Sequence, residues 1–104
     1  MDLSKNRLEF HNLLENITGL KNVYFQPPST LKMRYPCIRY TRDTINNKQA
    51  DNSVFKQNVI YEVTVIDANP DSMIVDAISK MVNARHIRTY ATEGLNHDVF
   101  QIYY

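Results

Sequence analysis

Near its start the chain repeats apolar residues at the spacing of one helix face. The residues on this face are Phe10, Leu13, Leu14 and Ile17. Ser4 precedes them as a candidate N-cap, and Gly19 supplies the left-handed residue at which a helix commonly ends. The pattern predicts a first helix between these two positions.

Further along, apolar and polar residues alternate with the period of two that is typical of strands. The alternation predicts strands at residues 22–26, 35–42 and 57–67. In the second strand, Ile38 and Tyr40 lie on one face, and Cys37 and Arg39 on the other. Both faces of residues 57–67 are largely apolar or aromatic, which predicts a central place in the sheet.

Residues 43–56 are polar and show no alternation, which predicts a long loop. The segment 69–72, with the sequence NPDS, predicts the start of a second helix, with Asn69 as cap and Pro70 in the first turn. Its apolar stripe consists of Ile74, Ile78, Met81 and Val82. Residues 86–91 and 98–103 are two further short strands.

These elements predict an α+β fold in one domain, residues 1–104, in the order α-β-β-β-α-β-β. We expect a single, mostly antiparallel sheet with both helices packed on one of its faces. A chain of 104 residues has the usual length of one domain.

Positive and negative charges nearly balance over the whole chain, but they are unevenly distributed between its two halves. The net charge of +1 gives no global field toward DNA or anionic lipid. Residues 1–50 hold eight Lys and Arg and four Asp and Glu, which gives +4, whereas residues 51–104 hold four and seven, which gives −3. Two interpretations remain open: pairing within the molecule, or head-to-tail association of a basic face with an acidic face of a second copy.

The single cysteine, Cys37, cannot form an internal disulfide, and no apolar run has the length of a signal peptide core or a membrane span. We therefore expect synthesis and folding in a cytoplasm, without membrane association.

The residues for common active sites are scarce. Two glycines cannot build a glycine-rich phosphate loop, and the three histidines lack metal-ligand spacing. Residues 67–71 resemble part of a cation loop, but helix capping explains them better. Cys37 is either a buried packing residue or a thiol nucleophile activated by nearby arginines, and packing is the preferred interpretation. We predict no catalytic, cofactor or metal site, and no enzyme activity.

A basic and aromatic segment raises the alternative of nucleic-acid binding. Its residues are Lys32, Arg34, Tyr35, Arg39, Tyr40 and Arg42. Tyr35 and Tyr40 are an odd number of positions apart, so a regular strand would point them to opposite faces. This disfavours a stacking platform, although a small nucleic-acid-binding regulator remains the alternative function.

Six segments carry a resemblance to a known family: NVYFQPP at 22–28, YPCIRY at 35–40, ADN at 50–52, YEVTVID at 61–67, NPDS at 69–72 and LNHD at 95–98. In this order, and over nearly the whole chain, they resemble the tail terminator proteins of long-tailed bacteriophages. The resemblance implies a structural virion protein that forms a ring, commonly a hexamer, at the head-proximal end of the tail tube. Head-closure or neck proteins of related fold are an alternative.

The resemblance also implies the partners: further copies of this chain, the tail tube protein and a head-completion or neck protein. It implies no cofactor, no membrane and no specific nucleic acid, although DNA could pass through the ring. Localisation would be the head–tail junction of the virion. We expect the loops at residues 27–35 and 43–56 to reach a neighbour or the tube, with these candidate interface residues: Lys32, Arg34, Arg39, Arg42, Lys48, Asp51 and Asn52.

Overall fold

Two helices and five strands make up the fold in a computed structural model. It describes the backbone of residues 3–50 and 54–104, and the side chains of these residues except 46–50 and 54–58. The elements are α1 (Leu3–Thr18), β1 (Val23–Phe25), β2 (Cys37–Ala50), β3 (Val54–Asp67), α2 (Met73–Ser79), β4 (Ala84–Thr92) and β5 (Leu95–Tyr103). The predicted α+β class and element order are confirmed.

The strands form one sheet in the order β1-β2-β3-β5-β4. Three neighbouring pairs are antiparallel, but β1 and β2 run parallel, so the sheet is mixed and the prediction of a mostly antiparallel sheet needs this correction. The cause is the connection at residues 26–36, which carries the chain back to the starting end of β1 before β2 begins. β3 is the middle strand, as its two apolar faces predicted.

Both helices contribute to one hydrophobic core on a single face of the sheet. Phe10 and Leu14 of α1 and Ile78 of α2 are fully buried in it. Phe10 stacks on Tyr61, with ring centroids 4.2 Å apart, and meets Tyr40 edge-on at 5.5 Å. Ile38 and Tyr40 face this core, and Arg39 lies between them on the opposite face, as their alternation predicted.

The predicted helix boundaries were partly wrong. α1 already includes Leu3, so Ser4 lies inside the helix and is not its cap, and Ile17 is 37% exposed. Gly19 does end α1, with φ +69 and a hydrogen bond of 2.8 Å from its N–H to the Glu15 carbonyl oxygen.

The second helix also starts later than its sequence indicated. α2 is capped by Ser72, not Asn69, because the Ser72 hydroxyl accepts hydrogen bonds from the N–H groups of Ile74 and Val75. Asn69 instead accepts a hydrogen bond from the Asp71 N–H in a side-chain turn before the cap. The helix ends at Ser79, so Met81 and Val82 of the predicted stripe lie beyond it, and Val82 is fully exposed.

The predicted loop at residues 43–56 is wrong. β2 continues to Ala50 and β3 begins at Val54, so residues 43–50 and 54–56 belong to two long paired strands. The sequence did not reveal them because backbone pairing of two strands requires no alternation, which only a strand with a core face needs. The longest dimension of the molecule is 52 Å, against 28 and 22 Å in the other directions.

Candidate functional site

A two-stranded arm projects from the sheet. β1 pairs with β2 only at residues 38–40, and β5 pairs with β3 only at residues 60–67. Between Asn46↔Asn58 and Ala50↔Val54, β2 and β3 therefore pair only with each other in the described part of the chain. We call residues 46–50 and 54–58 the arm; at strand geometry it is about 17 Å long.

At the base of the arm, two arginines lie against one aromatic ring. The guanidinium carbons of Arg7 and Arg42 are 4.8 and 5.2 Å from the centroid of the Phe25 ring. Arg7 comes from α1, Phe25 from β1, and Arg42 from β2 just before a register shift in its pairing with β3. We call Arg7 and Arg42 the arginine pair.

Buried tyrosines lie beside the arginine pair. The Tyr40 hydroxyl is close to Arg7, which opposes the rise in its pKa, and lies 2.7 Å from His11 Nδ1. The Tyr61 hydroxyl is close to Arg42 and donates to Asn6 Oδ1 at 2.6 Å. Burial raises the pKa of Tyr40 to about 12 and also raises that of Tyr61, against the opposing effect of the arginines. Both hydroxyls are therefore neutral at physiological pH and do not neutralise the arginines.

Within the described residues, the arginine pair has no acidic partner. Among residues 3–50 and 54–104, no carboxylate forms a salt bridge with either guanidinium. Arg42 Nη2 donates to the Leu3 carbonyl oxygen at a long 3.5 Å, and the buried Arg42 Nε has no hydrogen-bond partner in the described part of the chain. Two adjacent cations with such a donor favour an incoming anionic group.

The structure separates the predicted interface residues. Lys32 and Arg34 are exposed in the connection between β1 and β2, where the Arg34 N–H donates to the Tyr24 hydroxyl at 3.1 Å. Arg39 lies on the sheet face opposite Arg42, because the two are an odd number of residues apart before the register shift. The predicted basic group is therefore divided between two faces.

The three remaining candidates are Lys48, Asp51 and Asn52. Lys48 lies on the β2 side of the arm, at a position whose side chain the structure does not describe. Asp51 and Asn52 lie outside the described residues. Their proposed interface roles stay predictions.

A cleft with carboxylates lies at the other end of the sheet. It has a volume of about 650 Å³ and is formed between α2, the segment before it, and strands β4 and β5. Its three carboxylates belong to Asp71, Asp76 and Asp98, and Met73 at its edge is 84% exposed. We call this region the acidic cleft.

Thr89 and Asp98, which line the acidic cleft, form a compact hydrogen-bonded group with the neighbouring His86. Asp98 Oδ1 lies 3.1 Å from His86 Nε2 and accepts from the Thr89 hydroxyl at 2.5 Å, while that hydroxyl lies 3.0 Å from the same His86 nitrogen. In a catalytic triad, the acid and the nucleophile bind opposite nitrogens of the imidazole. Here both bind Nε2, so the group does not have the geometry for activating a nucleophile.

Cys37 is fully buried, on the sheet face away from the helices. Burial raises the pKa of its thiol to about 11, and Arg39 lowers it only in part. The thiol is therefore protonated at neutral pH, which agrees with a packing role and not with an activated nucleophile.

The described side chains show neither a stacking surface of the predicted kind nor a metal cluster. Tyr40 is fully buried, so it cannot stack on a base together with the 47% exposed Tyr35. Among described residues, no three His, Cys, Asp or Glu side chains gather where they could hold a metal ion.

Sequence reasoning missed Arg7, Phe25 and the acidic cleft. Arg7 and Arg42 are 35 positions apart and meet only through the packing of α1 on the sheet. The sequence indicated these sites only through its charge distribution, with an excess of Lys and Arg in residues 1–50 and an excess of Asp and Glu in residues 51–104.

Comparison with known proteins gives no family for this chain. It matches no protein-family model, and no curated protein matches it significantly. In the part of the chain that the structure describes, no helix has the length and apolarity to cross a membrane.

Proposed function

We propose that this protein is a structural component of a bacteriophage virion, which assembles as a ring at the head-proximal end of the tail tube and joins the tail to the head. The resemblance of its six segments to tail terminators gives the specific role. The observation that carries the proposal is the arm, which extends beyond every other strand of the sheet.

The arm needs a contact to be well ordered, because an isolated two-stranded ribbon is only marginally stable in water. Each of its long edges also leaves backbone donors and acceptors without a strand partner among the described residues. Packing against a neighbouring subunit or the tube would satisfy both requirements. A ring supplies such a neighbour to every subunit.

The test is electron microscopy of negatively stained tail tubes, from the phage that encodes this chain, after incubation with the purified protein. We expect a ring on one end of each tube. The matched control is the protein with residues 46–58 replaced by Asn-Gly, which removes the arm. Bare tube ends with the intact protein, together with salt-dependent retention on DNA or RNA, would support the nucleic-acid alternative instead.

A further inference from the structure

We propose that the arginine pair of one copy binds the acidic cleft of a second copy, so that subunits associate head to tail. This inference rests on the proposed function and specifies the surfaces that would form the ring. It follows from the positions of the two sites, from their charges and from the unused hydrogen-bonding groups of the arginines.

The two sites lie at opposite edges of the sheet. The strand order β1-β2-β3-β5-β4 places Phe25 and Arg42, on β1 and β2, at one edge. Thr89 and Asp98, on β4 and β5, place the acidic cleft at the other. Different surfaces at opposite ends of a subunit form a heterologous contact, which generates closed rings when the rotation between subunits closes.

The basic site is preorganised for carboxylates. Both guanidinium groups already lie against the Phe25 ring before a partner arrives, and that of Arg42 also donates to the Leu3 carbonyl oxygen. A guanidinium binds a carboxylate through two parallel hydrogen bonds, and little side-chain entropy is lost when the group is already held. The buried Arg42 Nε provides a donor without a partner within the described chain.

The acidic site has carboxylates that are free to change partners. Asp71 is exposed and forms no salt bridge with any described residue. Asp76 pairs with Lys80 at 2.9 Å, but both side chains are mostly exposed, and such a surface pair contributes little. The exposed Met73 beside them offers apolar contact for the flat face of a guanidinium or an aromatic ring.

Two variants test the contact from its two sides. Arg7→Glu places a carboxylate next to Arg42 and neutralises the basic site. Arg42 itself is kept because its guanidinium donates to the Leu3 carbonyl oxygen. Asp71→Lys combined with Asp76→Lys reverses the acidic site. Lys21→Glu is the matched control, since it makes the same charge change at an exposed position beyond the other end of α1.

The measurement is sedimentation velocity at low and high salt, with circular dichroism to verify that each variant is folded. We expect the wild type and Lys21→Glu to associate, with weaker association at high salt. For each test variant alone, the association constant should fall by roughly tenfold or more. If Arg7→Glu does not fold, Arg7→Gln removes the charge without introducing an acid.

An equal mixture of the two test variants gives the sharpest result. The intact acidic cleft of the Arg7→Glu variant should bind the intact arginine pair of the double variant, and the product should stop at a one-to-one dimer. A mixture that remains monomeric while the wild type assembles would overturn this inference and leave the proposed ring intact. The inference would also be overturned if the Arg7→Glu variant assembled as strongly as the wild type.

If wild-type rings form only on tail tubes, the same variants are compared there. The tube ends should then stay bare with either variant and with the mixture, because a dimer cannot close a ring. Rings formed by either variant would overturn the inference. A wild type that forms rings neither in solution nor on tubes would overturn the proposed function, and the inference with it.

Discussion

The thiol of Cys37 is both buried and protonated at neutral pH, because burial raises its pKa to about 11. We therefore expect native protein to react with a disulfide reagent far more slowly than unfolded protein, since only a thiolate with an accessible sulfur attacks. The measurement is the absorbance of the released thiol with time, in buffer and in denaturant. Rapid reaction of the folded protein at neutral pH would contradict the packing role.

The same raised pKa values make the stability fall in alkali. The pKa of Cys37 rises from 9.0 to about 11 on folding, and that of Tyr40 from 10.0 to about 12. Above the unfolded pKa values the unfolded chain binds fewer protons than the folded one, so the free energy of unfolding decreases with pH. We expect the loss to begin near pH 9 and to continue to about pH 12.

Denaturant titrations at a series of pH values measure this loss. The control is Cys37→Ala, which removes the contribution of the thiol and should flatten the curve between pH 9 and about pH 11. For the thiol alone the expected loss is roughly 3 kcal/mol, because its pKa rises from 9.0 to about 11 and each pKa unit corresponds to about 1.4 kcal/mol. A stability that is constant over this range would contradict the buried, protonated thiol.

At the scale of single residues, the alternation of apolar and polar positions correctly predicted which sheet face a side chain occupies. It did not predict contacts between residues far apart in the sequence. The faces occupied by Cys37, Ile38 and Tyr40 followed from the period of two. The contact of Arg7 and Arg42 with Phe25 depends on how α1 crosses the sheet, and no local pattern encodes that angle. The sequence therefore predicted only part of the candidate site. Arg42 was expected at an interface, whereas Arg7 was not.

Among the elements, α2 depends on a single capping side chain. The Ser72 hydroxyl accepts from the N–H groups of Ile74 at 3.2 Å and Val75 at 3.4 Å. Ser72→Ala should lower the free energy of unfolding by about 1 kcal/mol, because these donors lose their partner at the start of a seven-residue helix. Thermal denaturation followed by circular dichroism measures the change.

Ser79→Ala is the control for the cap. Ser79 is an exposed serine in the last turn of α2, and its hydroxyl only donates to the Asp76 carbonyl oxygen. Its replacement should change the stability by less than about 0.5 kcal/mol. Equal effects of the two substitutions would show that the cap at Ser72 does not determine the stability of α2.

The arm should be dispensable for folding but required for function. Ile45 and Val59 are paired at its base, so an Asn-Gly turn between them can replace residues 46–58. The buried Val59, with its hydrogen bonds to Tyr104, remains in place. We expect a melting temperature close to that of the wild type and loss of binding to tail-tube ends. Unchanged tube binding would contradict the role of the arm, and an unfolded product would show that the sheet depends on it.

Element boundaries explain most differences between expectation and structure. Strands that carry an apolar face were found in the sequence, but the arm was not, since its polar sequence has no apolar period and backbone pairing does not require one. The segment at residues 69–72 correctly predicted the start of a helix. It contains two residues that could cap this helix, Asn69 and Ser72. Only the structure identifies which of them receives the helix N–H groups.

At the scale of the whole molecule, the sheet separates one basic site from one acidic site. The arginine pair lies at the β1–β2 edge and the acidic cleft at the β4–β5 edge. The Arg7 and Arg42 guanidiniums form no salt bridge with a carboxylate in the described part of the chain. Among the described residues, pairing within the molecule, the simpler interpretation of the sequence, is therefore not seen for these two arginines.

The shared core predicts that the molecule unfolds as one unit. Leu14 of α1 and Ile78 of α2 are both fully buried in the same cluster with Tyr61, Val63 and Phe100 of the sheet. Removing either helix from this cluster would expose the sheet face that the other also covers. A change in one helix should therefore destabilise the whole chain in a single cooperative transition.

We expect Leu14→Ala to lower the free energy of unfolding by about 3 kcal/mol, and Ile78→Val by about 1 kcal/mol. Leu8→Ala, at a 52% exposed position on α1, is the control and should have a much smaller effect. The measurement follows helix content and tyrosine fluorescence in the same denaturant titration, and the two curves should coincide for every variant. Separate transitions in the Leu14→Ala protein would mean that α2 and its strands fold without α1, and the prediction of one domain would then be wrong.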